Sequence, residues 1–261
     1  MTTELTDDHA EAAARLLADS AMTRRAVDTL GVELADLASG YRVQDSGHGL
    51  HDDPLVGWKV GCTSSAAQKF LSIDEPVTGR YRTSHVVDGS GQISATDFVM
   101  APHLEVEVGF RLLADVDGAP SDSLLLADAV EAFVAIEVVA SRFAAFPMLG
   151  GPMLVADNVA GARMIVGPAL ALDAAGIRAL DTAPLTLTVD GVEVAAGTGA
   201  EALGHPLTVL AWLAGHATAR GIPLRAGELV ITGTCTGLTA ARAGETHVGR
   251  AGDSEVSLAV V

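Results

Sequence analysis

Apolar residues recur at near-helical spacing through residues 7–40, with Ala12, Ala13, Leu16, Leu17, Ala21, Leu30, Leu34 and Leu37 set among acids and arginines. This pattern predicts helix, with Thr23 capping a second helix and Gly40 ending it. Residues 45–54 (DSGHGLHDDP) read as a polar loop, Gly57–Val60 as the start of a short apolar segment, and Ser64–Leu71 as another helix. From Gly79 onward, short alternating runs are punctuated by Gly, Asp and Pro. His103–Leu113 alternates and predicts a strand. Ser123–Phe143 opens on a cap residue and predicts a helix followed by the β-branched run at 136–139. Leu185–Val189 and Val192–Ala195 flank Asp190-Gly191, a hairpin signal. Pro206–Gly221 predicts an apolar-faced helix with Leu210 and Trp212 in the core, and Glu228–Thr232 and Ser254–Val261 predict strands. The order is that of an α+β protein, with a helical N-terminal region over residues 1–75 and a mixed, β-rich body over 76–261.

Composition narrows the partners. With 261 residues, 49% hydrophobic and 19% charged, the chain can bury a substantial core. Its formal net charge of −17 argues against nucleic acid and anionic membrane as partners. The same field repels an anionic substrate, so a site for one needs local positive charge from a metal ion or a lysine. Cys62 and Cys235 form neither a disulfide framework nor a zinc spacing, which fits a reduced, cytoplasmic setting. The first twenty residues, with Glu4, Asp7, Asp8 and Glu11, do not read as a signal peptide, and the run Ala132–Ala140 is interrupted by Glu137 and too short to span a bilayer.

The chemistry-bearing pattern is Leu104-Glu105-Val106-Glu107-Val108. On a strand, residues two apart share a face, so Glu105 and Glu107 lie side by side. Two such carboxylates repel unless a cation lies between them or one is protonated. Glu137 sits inside AFVAIEVVA, where an unpaired carboxylate is costly to bury. Three carboxylates with waters form the ligand set that Mg²⁺ or Mn²⁺ prefers; a solvated strand face, with Glu137 paired to an arginine, is the plainer reading. Lys59, within Gly57-Trp58-Lys59-Val60-Gly61, is either a snorkelling surface residue or a buried amine that moves protons. Asp157-Asn158 reads first as a turn or cap, and Gly233-Thr234 as a turn able to bring N–H groups and a hydroxyl to a carboxylate.

In order and spacing, YRVQ (41–44), GWKVGCTS (57–64), EPVTG (75–79), LEVEVGF (104–110), AIEVVASRF (135–143), VADN (155–158), GHP…VLAWLA (204–214) and LRAGELVITGT (224–234) resemble the 2-keto-4-pentenoate hydratase/4-oxalocrotonate decarboxylase family of the fumarylacetoacetate hydrolase superfamily. The resemblance implies the superfamily's β-rich catalytic fold, a Mg²⁺ or Mn²⁺ ion on Glu105, Glu107 and Glu137, and Lys59 as the active-site lysine. It further implies a small 2-oxo acid substrate bound near Asp157, Asn158 and Thr234. The implied activity is a lyase reaction in aromatic catabolism, hydratase or decarboxylase, by a homo-oligomer that can associate with a partner enzyme of the same pathway. Two positions depart from the family pattern: Val77 stands where the hydratases are expected to carry Asp, and Val159-Ala160-Gly161 where a hydroxyl residue is expected. The missing acid favours decarboxylation over water addition. Two other readings are a C–C bond hydrolase of acylpyruvates, drawing its base from His48, His51, His85 or His103, and a noncatalytic subunit. Arg80, Arg82, Arg142 and Arg163 are candidates to grip a distal substrate carboxylate, or else surface ion-pair partners.

Overall fold

The computed structural model describes residues 5–261; of the acidic N-terminal stretch, Glu4 lies outside the described residues. Its α-helices are α1 (Asp7–Thr23), α2 (Leu37–Gly49), α3 (Ser65–Leu71), α4 (Gly151–Ala156), α5 (Ala174–Ile177) and α6 (Pro206–Ala219). Its strands are β1 (Leu55–Gly61), β2 (Val77–Arg82), β3 (Val86–Asp88), β4 (Gly91–Ile93), β5 (His103–Leu112), β6 (Val130–Val139), β7 (Gly161–Ala169), β8 (Pro184–Val189), β9 (Val192–Thr198), β10 (Leu229–Ile231), β11 (Thr239–Ala240), β12 (Thr246–Ala251) and β13 (Ser254–Val260). The α+β class read from the sequence holds: helices lead, and a curled sheet follows.

Local chemistry explains most boundaries. The Thr6 hydroxyl accepts the His9 N–H to start α1, which ends on Arg24 in the left-handed region (φ 56). The expected second helix from Thr23 does not form; irregular chain runs to Asp36, whose carboxylate accepts the Ser39 N–H and starts α2. Gly40 is not a stop but lies buried inside α2, which also takes up residues 45–49 of the expected loop. A Cβ there would lie 2.4 Å from the Pro152 carbonyl oxygen, so glycine is what lets α2 cross α4 closely. The helix expected over Ser64–Leu71 forms as α3, with Ser64 as its N-cap. Asp190 (φ 49) and Gly191 (φ 81) both take the left-handed conformation that a tight hairpin needs, joining β8 to β9.

The helix expected within Ser123–Phe143 is overturned. Residues 123–129 form 3₁₀ turns and 130–139 form β6. β6 lies between β5 and β7 and is buried on both faces from Ala132 to Val139, so its run is continuously apolar and conceals the two-residue period.

The larger sheet runs β2-β1-β10-β5-β6-β7-β3, with β11 added to β5, and curls into a half-barrel. The smaller sheet, β4-β13-β12-β8-β9, packs on one face of it. Leu104, Val106, Val108 and Phe110 of β5 and Val134, Ile136 and Val138 of β6 meet Leu185, Leu187, Val256 and Leu258 of the small sheet, and Leu207, Leu210 and Leu213 of α6 join this core. The odd-numbered residues of β5 and β6 therefore face the concave side, where Tyr81, Phe133, Met164, Leu229 and Ile231 fill the floor. Among the described residues no helix is long and apolar enough to cross a membrane.

Candidate active site

The concave face gathers the charged residues. Glu105 of β5 stands directly opposite Glu137 of β6, and Glu107 follows two residues along β5. Each offers one oxygen within 4.8 Å of the others. Lys59 projects from β1 onto the same face and is buried; its ammonium lies 2.5 Å from Glu137 Oε1 and donates to the Val159 carbonyl oxygen at 2.9 Å. The surface reading of Lys59 is thereby excluded. Tyr81 of β2, which carries no motif signal in the sequence, donates its hydroxyl to the same Glu137 oxygen at 2.6 Å. Gly233 donates its N–H to Glu107 Oε2 at 2.7 Å, so the backbone donor of the GT turn serves a carboxylate of the protein itself. Thr234 Oγ1 accepts the N–H groups of Thr236 (3.3 Å) and Gly237 (2.7 Å), which leaves its proton to donate to Glu105.

The charges are strongly coupled. Burial, then the charge of Glu137, raises the Glu105 carboxyl to about 7 against the pull of Lys59. Burial, followed by Glu137 and Glu105, holds Glu107 well above the usual carboxylate range. Burial works against the Lys59 ammonium, but Glu137, Glu105 and Glu107 outweigh it and raise its pKa above the ordinary value. Burial and Glu137 likewise push the Tyr81 hydroxyl well up, so it remains a donor. One ammonium does not balance three carboxylates. Glu107 Oε1 is moreover buried with no hydrogen-bond partner among the described residues, the kind of orphan a bound cation would satisfy. An all-oxygen donor set deficient by about two charges fits Mg²⁺ or Mn²⁺.

The Val159 carbonyl is presented by three consecutive non-glycine residues in the left-handed region, Asn158 (φ 53), Val159 (φ 53) and Ala160 (φ 55). For a β-branched valine this conformation is strained and must be held by its surroundings. Asn158 clamps it by accepting the Arg80 N–H (2.8 Å) and donating to the Arg80 carbonyl (3.0 Å). Asp157, fully buried, accepts the Ser141 hydroxyl (2.6 Å) and pairs with the Arg142 guanidinium. The structure thus brings together Lys59, Glu105, Glu107, Glu137 and Thr234, and places Asp157 and Asn158 behind the wall, holding the turn on which Lys59 rests. Gly161 completes the approach: a Cβ there would lie 2.9 Å from the Tyr81 hydroxyl and 3.0 Å from Lys59 Cδ.

Lys59, Glu105, Glu137 and Thr234 line a cavity of about 540 Å³. Its remaining wall is largely apolar, with Phe70, Leu71, Val139, Phe146 and Leu238, and among the described residues Glu201 is the one lining carboxylate outside the cluster. Val77 is buried in an apolar cluster with Val139, Val155 and Val159, so no acid replaces the expected aspartate there. Burial raises the Cys62 thiol to about 11, which keeps it un-ionised on the cavity wall. Among the described residues no histidine and no arginine lines this cavity.

The profile of the Fumarylacetoacetate (FAA) hydrolase C-terminal family matches residues 59–259. A 2-keto-4-pentenoate hydratase of Burkholderia vietnamiensis is 33% identical over 218 residues, covering 81% of each chain. A 4-oxalocrotonate decarboxylase of a Pseudomonas species is 28% identical over 240 residues, 90% of this chain and 85% of that one. Among solved structures, the 4-oxalocrotonate decarboxylase of Pseudomonas putida G7 complexed with magnesium and adipate superposes with a TM-score of 0.89 at 25% identity, covering 98% of this chain and 99% of that one.

Proposed function

The chain belongs to the fumarylacetoacetate hydrolase family, and from that premise we propose that it is a divalent-metal-dependent lyase acting on a small unsaturated 2-oxo acid through its enolate. The observation that carries this reading is the buried Lys59 ammonium set against the three-glutamate cluster in a largely apolar cavity. Glu105, Glu107 and Glu137 would hold Mg²⁺ or Mn²⁺, which when bound supplies a Lewis acid for a 2-oxo carboxylate. Lys59, anchored on the Val159 carbonyl, supplies the cation that balances the enolate and the proton that quenches it. Tyr81 holds Glu137 in place by its hydroxyl, and Thr234 holds Glu105 in place by its own. Asp157 and Asn158 act through the turn they fix and not by touching substrate.

The wall favours decarboxylation. Val77 offers no acid for adding water, and the apolar end of the cavity holds no cation to solvate a distal carboxylate. A carboxylate vinylogous to the ketone departs as CO₂ when its C–C bonding pair moves into the enolate, which then takes a proton on carbon. Hydration of a 2-oxopent-4-enoate is the second reading, favoured by the hydratase relative at 33% identity. A hydrolase lacks the histidine base it needs in this cavity.

The test is a paired ultraviolet assay with Mg²⁺, offering 4-oxalocrotonate in one cuvette and 2-hydroxypenta-2,4-dienoate in the other. CO₂ release from the first supports decarboxylation. Conversion of the dienoate to 4-hydroxy-2-oxopentanoate supports the hydratase reading and shows that Val77 is no obstacle. Turnover of neither, by protein that binds Mn²⁺, refutes the proposed substrate class.

A further inference from the structure

The four arginines that could have gripped a distal carboxylate all face elsewhere. Arg80, Arg82, Arg142 and Arg163 line a second cavity of about 330 Å³, bounded by α1 and α2 on one side and by β2 and β7 on the other. His48, His51 and His85 line it as well, and among the described residues Asp97 is its one carboxylate. In a chain with formal charge −17, this concentration of cationic groups runs against the overall composition.

Two of the arginines are already neutralised. Arg80 pairs with Glu228 at 3.2 Å, and Arg142 pairs with Asp157. The other two make no ion pair among the described residues. Arg82 is buried and donates from Nη1 and Nη2 to the carbonyl oxygens of Asp53 and His48, both at 2.6 Å, which occupies part of its guanidinium and neutralises none of its charge. Arg163 donates to the Ala162 carbonyl at 2.8 Å and lies 5.8 Å from the Phe98 ring. Buried nitrogens are left over too: Arg80 Nε, a donor, and the ring atoms His48 Nε2 and His85 Nδ1 have no hydrogen-bond partner among the described residues. Burying charge and donors without partners is costly, and the arrangement makes sense when an anion supplies both. The surplus positive field registers on the imidazoles: burial first, then the neighbouring arginines, lowers His48 to about 3 and His85 to about 4.

We propose that this cavity is a binding site for a small oxyanion carrying about two negative charges, a phosphate group or a short dicarboxylate, held by Arg163, Arg82 and His85. Two unpaired guanidiniums match two negative charges. The volume admits a molecule of this size. The site is separate from the catalytic cavity, with which it shares the wall Asn158–Gly161, and it stands whether or not the lyase reading does.

The test is calorimetric titration of the full chain, treated with EDTA and in low chloride, with inorganic phosphate and with succinate. Saturable binding near one equivalent per chain is expected from at least one of them; phosphate alone would identify a phosphate-bearing ligand, succinate alone a dicarboxylate. Arg163→Gln and His85→Gln should each weaken that binding about tenfold or more, each loss corresponding to a charge-assisted or buried hydrogen bond. Testing two substitutions separately guards against one of them misfolding. Glu105→Gln, in the other cavity, should leave it unchanged. No saturable binding of either anion overturns the proposal. So does binding that survives both Arg163→Gln and His85→Gln, or that responds to Glu105→Gln instead.

Discussion

Replacing Glu107 by Gln should separate the stability of the fold from its response to metal. The amide keeps the shape of the side chain and its oxygen still accepts the Gly233 N–H. With oxygens up to 4.8 Å apart and an effective dielectric near 20, each ionised carboxylate pair in the cluster repels by roughly 3–4 kcal/mol. Removing one carboxylate therefore cannot weaken the metal-free protein electrostatically, and its melting temperature should stay within about 2 °C of the parent or rise. In the parent, a divalent ion at about one hundred times its Kd adds roughly 2.7 kcal/mol by mass action. For a chain of this length that is a rise of about 5–10 °C. The variant should lose most of that rise, because a neutral amide replaces the buried oxygen that has no partner in the protein. Thermal unfolding followed calorimetrically in EDTA, Mg²⁺ and Mn²⁺ at constant ionic strength reads both quantities. A variant that loses many degrees without metal, yet keeps the parent's metal-induced rise, would refute the reasoning and make Glu107 a structural acid.

Further outcomes follow from other positions. Lys59→Met removes the cation on Glu137 and should lower kcat by about 10²–10⁴ while Mn²⁺ still binds by paramagnetic resonance; a loss under tenfold would remove Lys59 from proton transfer. Gly40→Ala should destabilise by about 1–3 kcal/mol in urea, because the added methyl meets the Pro152 carbonyl, whereas helix propensity alone would stabilise by about 1 kcal/mol. His48 and His85 stay neutral in the fold down to about 3 and 4, while the unfolded chain protonates them near the ordinary 6.5. The unfolded state therefore takes up more protons below that value, so this contribution is present above about pH 6.5 and is lost on acidification, roughly 2 kcal/mol per imidazole by pH 5. His85→Gln should flatten the stability-versus-pH curve over that window, and an unchanged slope would contradict it.

What could be read from the residues followed from period and chemistry. Glu105 and Glu107 alternate with Val106 and Val108, so one strand exposed both the core face and the acidic face. Asp190-Gly191 named its own turn. The helix expected within 123–143, ahead of the β-branched run at 136–139, failed because burial on both faces of β6 erases alternation, and Gly40 misled because a close helix crossing and a helix end both call for glycine. Tyr81 was invisible because its partner, Glu137, lies 56 residues away along the chain, and only the curl of the sheet brings them together. The second cavity was hidden for the same reason: its arginines come from β2, β7 and the segment after β6.

The pairing of β1 has a consequence for how the protein is made. Lys59 lies beside Ile231, its register partner on β10, on a strand that separates β1 from the two strands bearing the glutamates. On a ribosome adding about 5–20 residues per second, β1 waits roughly ten to thirty seconds before that neighbour is synthesised. Throughout that interval the lysine has no finished sheet to hold it against Glu137. A nascent chain or a fragment that stops short of residue 229 would carry every acid of the cluster and the lysine, yet lack the strand that brings them into register.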